Sequence, residues 1–320
     1  MLILKMSPVF KKYIWGGRKL IDEYNKVTDL DRVAETWELS CYPNNETLIK
    51  GGQYDGIYLS DFINEHGWNI LGTNCSNMKD FPLLIKLIDA KENLSIQVHP
   101  DDAFCEAHKN PEYKGKAEMW HILEAEPGAS IYYGLKKNIS KEEFVERIKS
   151  NTLEEVLNKE YVHVGDTFYI PEGTLHAIGR GIVLAEVQRS SNCTFRVYDY
   201  GRLGLNGRPR DLHVSEAIEV ASLSPVNTEN MSKSHLWACE HFIVDLIQVS
   251  GRKILNSSAS SFQSLLITSG EGSIDSAEHS LPLKKGDCLF ISAEEGSYAL
   301  NGEIEALLSY IPDKEMINGK

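Results

Sequence analysis

The sequence lacks the usual features of secreted and membrane-spanning proteins. Its six cysteines stand singly, without a C-x-x-C pair, which is typical of reduced thiols in the cytosol. No stretch approaches the roughly 20 apolar residues that span a bilayer. The start, MLILKMSPVF, also lacks the apolar region and small-residue cleavage site of a signal peptide. We therefore expect a cytoplasmic protein that has no membrane partner.

Basic residues are in the minority. The 320 residues include 33 Lys and Arg against 46 Asp and Glu, for a formal charge of -13. This balance disfavours nucleic acid and anionic membranes as partners, because both attract basic surfaces. An anionic small molecule would need a local cluster of Lys and Arg. With 42% hydrophobic residues the chain can build a substantial core, and its length favours two domains.

Short strand-like segments dominate the pattern, and glycine-rich turns separate them. They are rich in β-branched and aromatic residues. The segments are 83–88, 94–99, 130–135, 167–171, 182–188, 194–200, 242–249, 261–268, 287–292 and 306–311. Many short strands without a long βαβ alternation favour antiparallel barrels or sandwiches. The sequence therefore predicts a fold that is dominated by β structure.

Three segments carry helix signals instead. Residues 140–160 contain two capping boxes, Ser140 with Glu143 and Thr152 with Glu155, followed by apolar residues at helical spacing. Residues 101–110 begin with a pair of aspartates, which favour a helix N-terminus. A third helix is predicted over 213–221. We expect these helices to be insertions beside a barrel.

Residues 164–188 and 285–311 share an internal rhythm. Each has a Gly-Asp turn, a strand, a short turn, a second strand, a Gly turn and a third strand. The first copy continues as P-x-G-x-x-H and ends this motif in His176, the pattern of the second half of a cupin barrel. The second copy has Ser297–Tyr298 at that place. We therefore expect two cupin (jelly-roll) barrels: a catalytic domain over 1–225, a polar linker near 222–235, and a metal-free barrel over 236–320.

Four side chains form a candidate metal site. Gln97 and His99 are two residues apart in a strand and so point to the same face. His176 is aimed inward by the cupin pattern, and Glu118 supplies a carboxylate. Two imidazoles, one carboxylate and one amide oxygen suit zinc best, with one ion per chain. Manganese or iron would also fit these donors.

Several motifs resemble the type I mannose-6-phosphate isomerases, in the compact form common in Gram-positive bacteria. They are SPVFKKYIWGGRKL, AETWELS, FPLLIKLIDAKENLSIQVHPDD, GKAEMWHIL, YIPEGTLHAIG and EVQRSSNCTFRVYDYGR. These motifs run in order from about residue 7 to residue 215. The resemblance implies that D-mannose 6-phosphate and D-fructose 6-phosphate are interconverted through a cis-enediol. It also implies that Gln97, His99, Glu118 and His176 bind zinc.

The same resemblance implies further site residues. Arg196, Glu186 and Lys116 are expected to be catalytic, with Glu186 as our candidate base. Ser95, Lys86 and Asn192 are expected to bind the sugar phosphate, and Ser95 points to the same strand face as Gln97. The sequence leaves the oligomeric state open between a monomer and a weak dimer. It leaves the strictness for mannose 6-phosphate open as well.

Two positions depart from the family pattern. The family usually has an aspartate four residues before the arginine that corresponds to Arg196, and this chain has Asn192. Arg189 stands where many relatives carry a second glutamine. Two other functions are considered. One is an iron-dependent cupin oxygenase at the same ligands, and the other is a sugar-phosphate-binding paralogue without catalysis.

Overall fold

The structure is a computed structural model that describes residues 1–230, 233–277 and 279–313. The chain is mainly β in these residues. The strands are β1 (Ile3–Ser7), β2 (Val9–Lys11), β3 (Glu35–Leu39), β4 (Cys41–Tyr42), β5 (Asn45–Glu46), β6 (Leu48–Ile49), β7 (Leu83–Ala90), β8 (Ile96–Val98), β9 (Glu118–Ala125), β10 (Ser130–Leu135), β11 (Leu157–Tyr161), β12 (Thr167–Ile170), β13 (His176–Ile178), β14 (Ile182–Arg189), β15 (Phe195–Tyr198), β16 (Trp237–Ala238), β17 (Ile243–Ser257), β18 (Gln263–Asp275), β19 (Ser280–Lys284), β20 (Cys288–Ile291) and β21 (Gly296–Tyr310).

The helices are α1 (Lys19–Asp22), α2 (Leu59–His66), α3 (Asp102–His108), α4 (Lys141–Lys149) and α5 (Val214–Val220). Short 3-10 turns cover Gly52–Tyr54, Trp68–Leu71, Thr73–Cys75 and Leu153–Glu155. None of these helices within the described ranges is both long and apolar enough to cross a membrane.

Three antiparallel sheets make up most of the protein. One has the strand order β11-β10-β13-β8-β15, and we call it the small sheet. The second has the order β12-β9-β14-β7-β3-β2, and we call it the central sheet. The third has the order β16-β17-β21-β18-β20-β1-β6, with β19 paired to β18, and we call it the C-terminal sheet. The pairing among the described strands leaves these sheets open and closes no barrel.

Apolar clusters join the sheets in pairs. Ile88, Trp120 and Leu184 of the central sheet pack with Ile131 and Ile178 of the small sheet. A second cluster covers the opposite face of the small sheet with helices α3, α4 and α5. A third cluster lies between the central and C-terminal sheets. The small and central sheets therefore face each other, which places inward-pointing residues of both in one layer.

The first strand belongs to the C-terminal sheet, although it opens the chain. β1 pairs with β20, in the register Ile3 with Ile291 and Leu4 with Phe290. Leu4 and Phe290 are both buried in the cluster between the central and C-terminal sheets. The two halves of the sequence are therefore bound together by backbone hydrogen bonds as well as by packing.

The strand predictions agree with the structure, with shifts at the ends. All ten predicted segments overlap observed strands. Three strands of the C-terminal half, β17, β18 and β21, extend far beyond the predicted bounds. They do so because they continue as a long antiparallel ribbon in which Gly251, Gly272 and Gly302 lie side by side. Gly302 adopts φ of +121° there. The predicted Gly turn of the second repeat is therefore wrong, because β21 runs through it.

Two of the three predicted helices are confirmed, and one needs correction. Helix α3 begins at the N-cap Asp101, and α5 lies within 213–221. The first capping box of 140–160 is also confirmed, since Ser140 accepts a hydrogen bond from the Glu143 amide. The second half is wrong. After Lys149 the chain forms only the turn at Leu153–Glu155 and then β11, which pairs with β10.

Candidate active site and metal centre

Strand alternation sends the predicted site residues into the layer between the small and central sheets. In β7 and β14, Ile88 and Leu184 point into this layer, so Lys86 and Glu186, each two residues away, point the same way. In β8, Ile96 and Val98 pack against the helices, which leaves Gln97 facing inward. The same alternation holds for Glu118 in β9 and for His176 in β13. The period of two therefore assembles the site.

His99, Glu118 and His176 come together in a fully buried cluster. One ligand atom from each lies within 4.8 Å of the other two. His99 Nε2 is 3.3 Å from Glu118 Oε2, and His176 Nε2 is 3.4 Å from Glu118 Oε1. This is the sole such group of three or more among the residues that the structure describes. Two imidazole nitrogens and a carboxylate at this separation can share one cation.

The outer hydrogen bonds orient both imidazoles toward the centre. His99 Nδ1 lies 2.9 Å from the Cys193 carbonyl oxygen, and His176 Nδ1 lies 2.8 Å from the Thr174 carbonyl oxygen. A carbonyl oxygen only accepts, so each Nδ1 carries the proton and each Nε2 presents its lone pair inward. Burial lowers the pKa of both histidines, that of His99 to about 3. Both rings are therefore neutral ligands at pH 7.

Glu118 is charged and under-bonded. Burial opposes its ionisation, but the positive charge of Lys116 holds the pKa of the carboxyl group well below its ordinary value. Neither carboxylate oxygen accepts a hydrogen bond, although Lys116 Nζ forms an ion pair with Oε2 at 2.8 Å. A buried carboxylate without hydrogen bonds has a strong tendency to bind a cation. The donor set therefore fits a metal ion.

Gln97 completes the predicted set. Its Nε2 lies 3.2 Å from His176 Nε2, and Gln97 and His176 are direct partners in the register of β8 and β13. The amide oxygen and nitrogen are interchangeable by a half-turn of the group. After this rotation the amide oxygen, rather than the nitrogen, faces the same point as the lone pair of His176 Nε2. There it can serve as a fourth donor to a cation. All four predicted ligands are thus brought to one place.

A cavity of about 240 Å³ opens above this cluster. Lys116 and Gln97 line it beside the buried cluster of His99, Glu118 and His176. The remaining predicted site residues also line this cavity, namely Lys86, Ser95, Glu186, Asn192 and Arg196. The structure therefore unites the predicted catalytic and substrate-binding residues in one space.

Glu186 sits at the floor of the cavity between two donors. Lys86 Nζ donates to its Oε1 at 2.7 Å, and the Trp120 indole donates to its Oε2 at 2.9 Å. Register explains both contacts, because Glu186 pairs with Lys86 on one side and with Trp120 on the other. Burial raises the pKa of Glu186, and the Glu118 charge raises it further, against the opposing effect of Lys86. A carboxylate with a raised pKa is suited to proton transfer.

Arg196 lines the other end of the cavity. Its Nε lies 3.3 Å from Ser95 Oγ, and its Nη1 donates to the Asp211 carbonyl at 2.7 Å. Burial lowers the pKa of this guanidinium, and the nearby positive charge of Arg210 lowers it further. Arginine remains charged despite such shifts. Two guanidinium groups facing the same space make this end of the cavity favourable for an anion.

The lining residues that were not predicted from the sequence include Tyr13, Trp15, Glu35 and Arg210. Arg210 is held by Asp199, with contacts of 2.8 and 2.5 Å. It follows Arg196 by fourteen residues in an irregular segment, where no period links side chains. The basic run GRPRD was the available signal. Tyr13 and Trp15 lie in KKYIWGG, which is part of a motif that resembles the family but was not predicted to line the site.

The C-terminal sheet carries no comparable site in its described residues. Tyr298, which stands where the first repeat has a histidine, is buried, and its hydroxyl donates to Gln263 Oε1 at 2.9 Å. Its neighbours are the aliphatic side chains Ile247, Leu265 and Leu300. The face of this sheet that carries Tyr298 is therefore part of a packed apolar core.

The fold and site together define a mainly β protein with a candidate metal centre under a cationic cavity. Two family models match the sequence. Residues 3–125 match "Phosphomannose isomerase type I, catalytic domain", and residues 232–311 match "Mannose-6-phosphate isomerase, cupin domain". The chain therefore belongs to the type I mannose-6-phosphate isomerase family, and relatives of known identity support the assignment over nearly its whole length.

The similar proteins include two curated bacterial enzymes and one solved structure. Mannose-6-phosphate isomerase ManA of Bacillus subtilis is 34% identical, over 96% of this chain and 98% of that protein. The mannose-6-phosphate isomerase of Streptococcus mutans is also 34% identical, over 93% of this chain and 95% of that protein. The crystal structure of the Bacillus subtilis mannose 6-phosphate isomerase superposes with a TM-score of 0.89 at 32% identity, over 97% of this chain and 100% of that one.

Proposed function

We propose that this protein is an aldose–ketose isomerase that interconverts D-mannose 6-phosphate and D-fructose 6-phosphate. One observation carries the proposal. The buried cluster of His99, Glu118 and His176 lies beside a cavity that presents both a carboxylate with raised pKa, Glu186, and an anion-attracting end at Arg196. These features together suit proton transfer on a phosphorylated sugar. Membership of the family supports the same reaction.

The metal in this proposal is one zinc ion per chain, bound by Gln97, His99, Glu118 and His176. Neutral imidazoles and a charged carboxylate suit a borderline cation. The amide of Gln97 adds a donor that leaves the charge of the site unchanged. When bound, zinc supplies a Lewis acid that stabilises negative charge on the oxygens of the sugar.

Glu186 is the proposed base. Isomerisation moves a proton between C1 and C2 of the open sugar through a cis-enediol, and a carboxylate can remove and return that proton. Lys86 and the Trp120 indole hold the two oxygens of Glu186 in place. Lys116 lies 2.8 Å from Glu118 and 3.1 Å from His99 Nε2, at the boundary between metal centre and cavity. We assign it to stabilising charge that develops on the sugar oxygens.

The phosphate is assigned to the arginine end of the cavity. Both cavity lysines lie deep in the cavity and have a buried carboxylate partner within 2.8 Å, so they are assigned to the reacting end rather than to the phosphate. Arg196 donates to the Ser95 hydroxyl and to the backbone carbonyl of Asp211. Both oxygens are uncharged, so the charge of Arg196 is available to a dianion. Arg210 adds a second guanidinium that Asp199 holds in place. Ser95 and Asn192 would then contact the sugar or its phosphate.

The architecture is proposed to be two jelly rolls. The first, within residues 1–225, consists of the small and central sheets with helices α3 and α4 laid outside. The second comprises residues 236–320. The participation of β1 in the C-terminal sheet means that this second unit would need residues 3–7 as well. We further propose that the protein works in the cytoplasm, as a monomer or weak dimer.

A coupled assay tests the function. Purified protein receives mannose 6-phosphate, and fructose 6-phosphate is measured with and without a chelator, alongside the metal content. We expect activity that disappears with the chelator and returns with zinc. Oxygen consumption by an iron-loaded protein would instead indicate an oxygenase. Binding of mannose 6-phosphate without turnover would indicate a non-catalytic paralogue.

A further inference from the structure

Arg189 contacts all three segments that carry candidate histidine and glutamate ligands. Its backbone amide donates to the carbonyl of Ala117, the residue before Glu118, at 3.1 Å. Its Nη2 lies 2.9 Å from both carboxylate oxygens of Asp102, and its Nη1 lies 3.0 Å from Glu172 Oε1. Asp102 follows His99 by three residues, and Glu172 precedes His176 by four.

Each of these carboxylates is rigidly connected to a ligand. Glu172 lies in the turn that supplies the Thr174 carbonyl, which orients the His176 ring. The next residue in that turn, Gly173, donates its amide to the His99 carbonyl at 2.9 Å. Asp102 is the first residue of helix α3, which begins three residues after His99. Holding Asp102 and Glu172 therefore restrains the backbone that directs both imidazoles.

The geometry suits an arginine. A planar guanidinium reaches two carboxylates at once and binds one of them through both oxygens. The packing is close, since a side chain at Gly115 would place Cβ 2.4 Å from Asp102 Oδ1 and 2.5 Å from Arg189 Nη1. Gly115 thus lets the ion pairs form against the segment that leads to Lys116. A glutamine at position 189, as in many relatives, lacks the charge for these contacts.

We propose that Arg189 is a positioning residue for the metal centre, which it serves by tying the segment after His99 to the turn before His176. This inference rests on the proposed zinc function. The pairing of β14 with β9, in which Val187 lies opposite Met119, does not involve this side chain. Loss of the guanidinium frees the two ligand segments while the sheet stays intact.

The test compares R189Q and R189K with a matched control, R147Q. Arg147 is also partly exposed and also pairs with two carboxylates, those of Glu143 and Glu155, but it lies on helix α4 away from the ligand segments. Each zinc-loaded protein is mixed with a chromophoric chelator, and the rate of zinc transfer is recorded. We expect R189Q to release zinc about tenfold faster, as loss of outer supports weakens metal sites. R189K should recover part of the difference, and R147Q should match the unaltered chain.

A second measurement uses the metal-free proteins. We expect amide hydrogen exchange to accelerate in segments 99–105 and 171–176 of R189Q, with no change in these segments in R147Q. Equal exchange and equal zinc release in R189Q and the unaltered chain would overturn the proposal. A urea midpoint lowered in R189Q, with exchange raised uniformly over the chain, would also overturn it. If the unaltered chain binds no zinc but the exchange difference appears, the zinc function fails while the positioning role stands.

Discussion

Lys86 and Glu186 form a buried ion pair, 2.7 Å between Nζ and Oε1, at the floor of the cavity. Both side chains are almost inaccessible to solvent. Their pairing follows from register, since the two residues face each other across β7 and β14. Glu35 lies farther from the same ammonium, at 3.8 Å, too far to accept a hydrogen bond from it. Two carboxylates therefore line the cavity near Lys86, and Glu186 is paired with it more closely than Glu35 is. Only Glu186 is our candidate base.

The first prediction concerns this pair of carboxylates. We expect E186Q to lower kcat by about 10²–10⁴-fold, because an amide cannot accept the proton, while the zinc content stays unchanged. E35Q provides the matched control and should retain most of the activity. Steady-state kinetics with both variants decides the matter. A large loss in E35Q together with an active E186Q would move the role of base to Glu35.

The second prediction concerns the phosphate end of the cavity. We expect R210Q to raise KM for mannose 6-phosphate by about 10–100-fold, the equivalent of one lost charge-assisted hydrogen bond, with a small effect on kcat. Inhibition by inorganic phosphate should weaken in parallel. R252Q makes the same charge change on the C-terminal ribbon, where Arg252 contacts Asn301, and should behave like the unaltered chain. An unchanged KM in R210Q would remove Arg210 from phosphate binding.

The third prediction concerns Asn192, which lines the cavity where the family pattern has an aspartate. We expect N192D to raise kcat/KM severalfold, because a carboxylate there can pair with a cationic group of the cavity and exchange protons. N192A, which removes the polar group without adding charge, should not show this gain. Kinetics at several pH values measures both variants. A loss of activity in N192D would mean that the site has adapted to the neutral amide.

The fourth prediction concerns pH and His241. Burial and the Arg189 charge lower the pKa of His241 to about 4, against the opposing charges of Glu240 and Asp102. Glu172 also faces this ring, 3.7 Å from Nε2. The unfolded chain binds a proton near the ordinary pKa of about 6.5, whereas the folded chain does so only near 4. Stability from this group is therefore present above about pH 6.5 and is lost as the pH falls toward 4.

Urea unfolding of H241Q and the unaltered chain between pH 4 and pH 7 measures this effect. We expect the midpoint of the unaltered chain to fall more steeply on acidification than that of H241Q. The comparison cancels the carboxylates that titrate in the same range, since both proteins contain them. Parallel curves would show that His241 gains its proton equally in both states.

Local patterns grouped several residues that the structure brings together. Gln97 and Ser95 were assigned to one face by the period of two, and the P-x-G-x-x-H spacing identified His176. Those rules depend on neighbours in sequence, which a strand or turn keeps fixed. Glu118 carried almost no signal by itself, because most glutamates are solvated. Its role emerges only when β9 pairs with β14 and brings it opposite Gln188, beside the two histidines.

Other parts of the fold lay beyond such rules. The helical period over 153–160 was overridden when Leu157–Tyr161 found a partner in β10. Arg210 reaches the cavity through an irregular segment anchored by Asp199, a contact without any sequence period. The Arg189 side chain contacts Asp102, which is 87 positions away along the chain, and Glu172, which is 17 positions away. None of these contacts could be derived from a local pattern.

The sequence by itself determined the β-rich class, the donor types of the candidate metal site and the family, since each resides in composition, alternation or short motifs. The tertiary structure alone decided which charges neutralise one another and which remain for the substrate. That distinction depends on distances between strands that are far apart in the chain, and on burial, which strengthens every ion pair by excluding water.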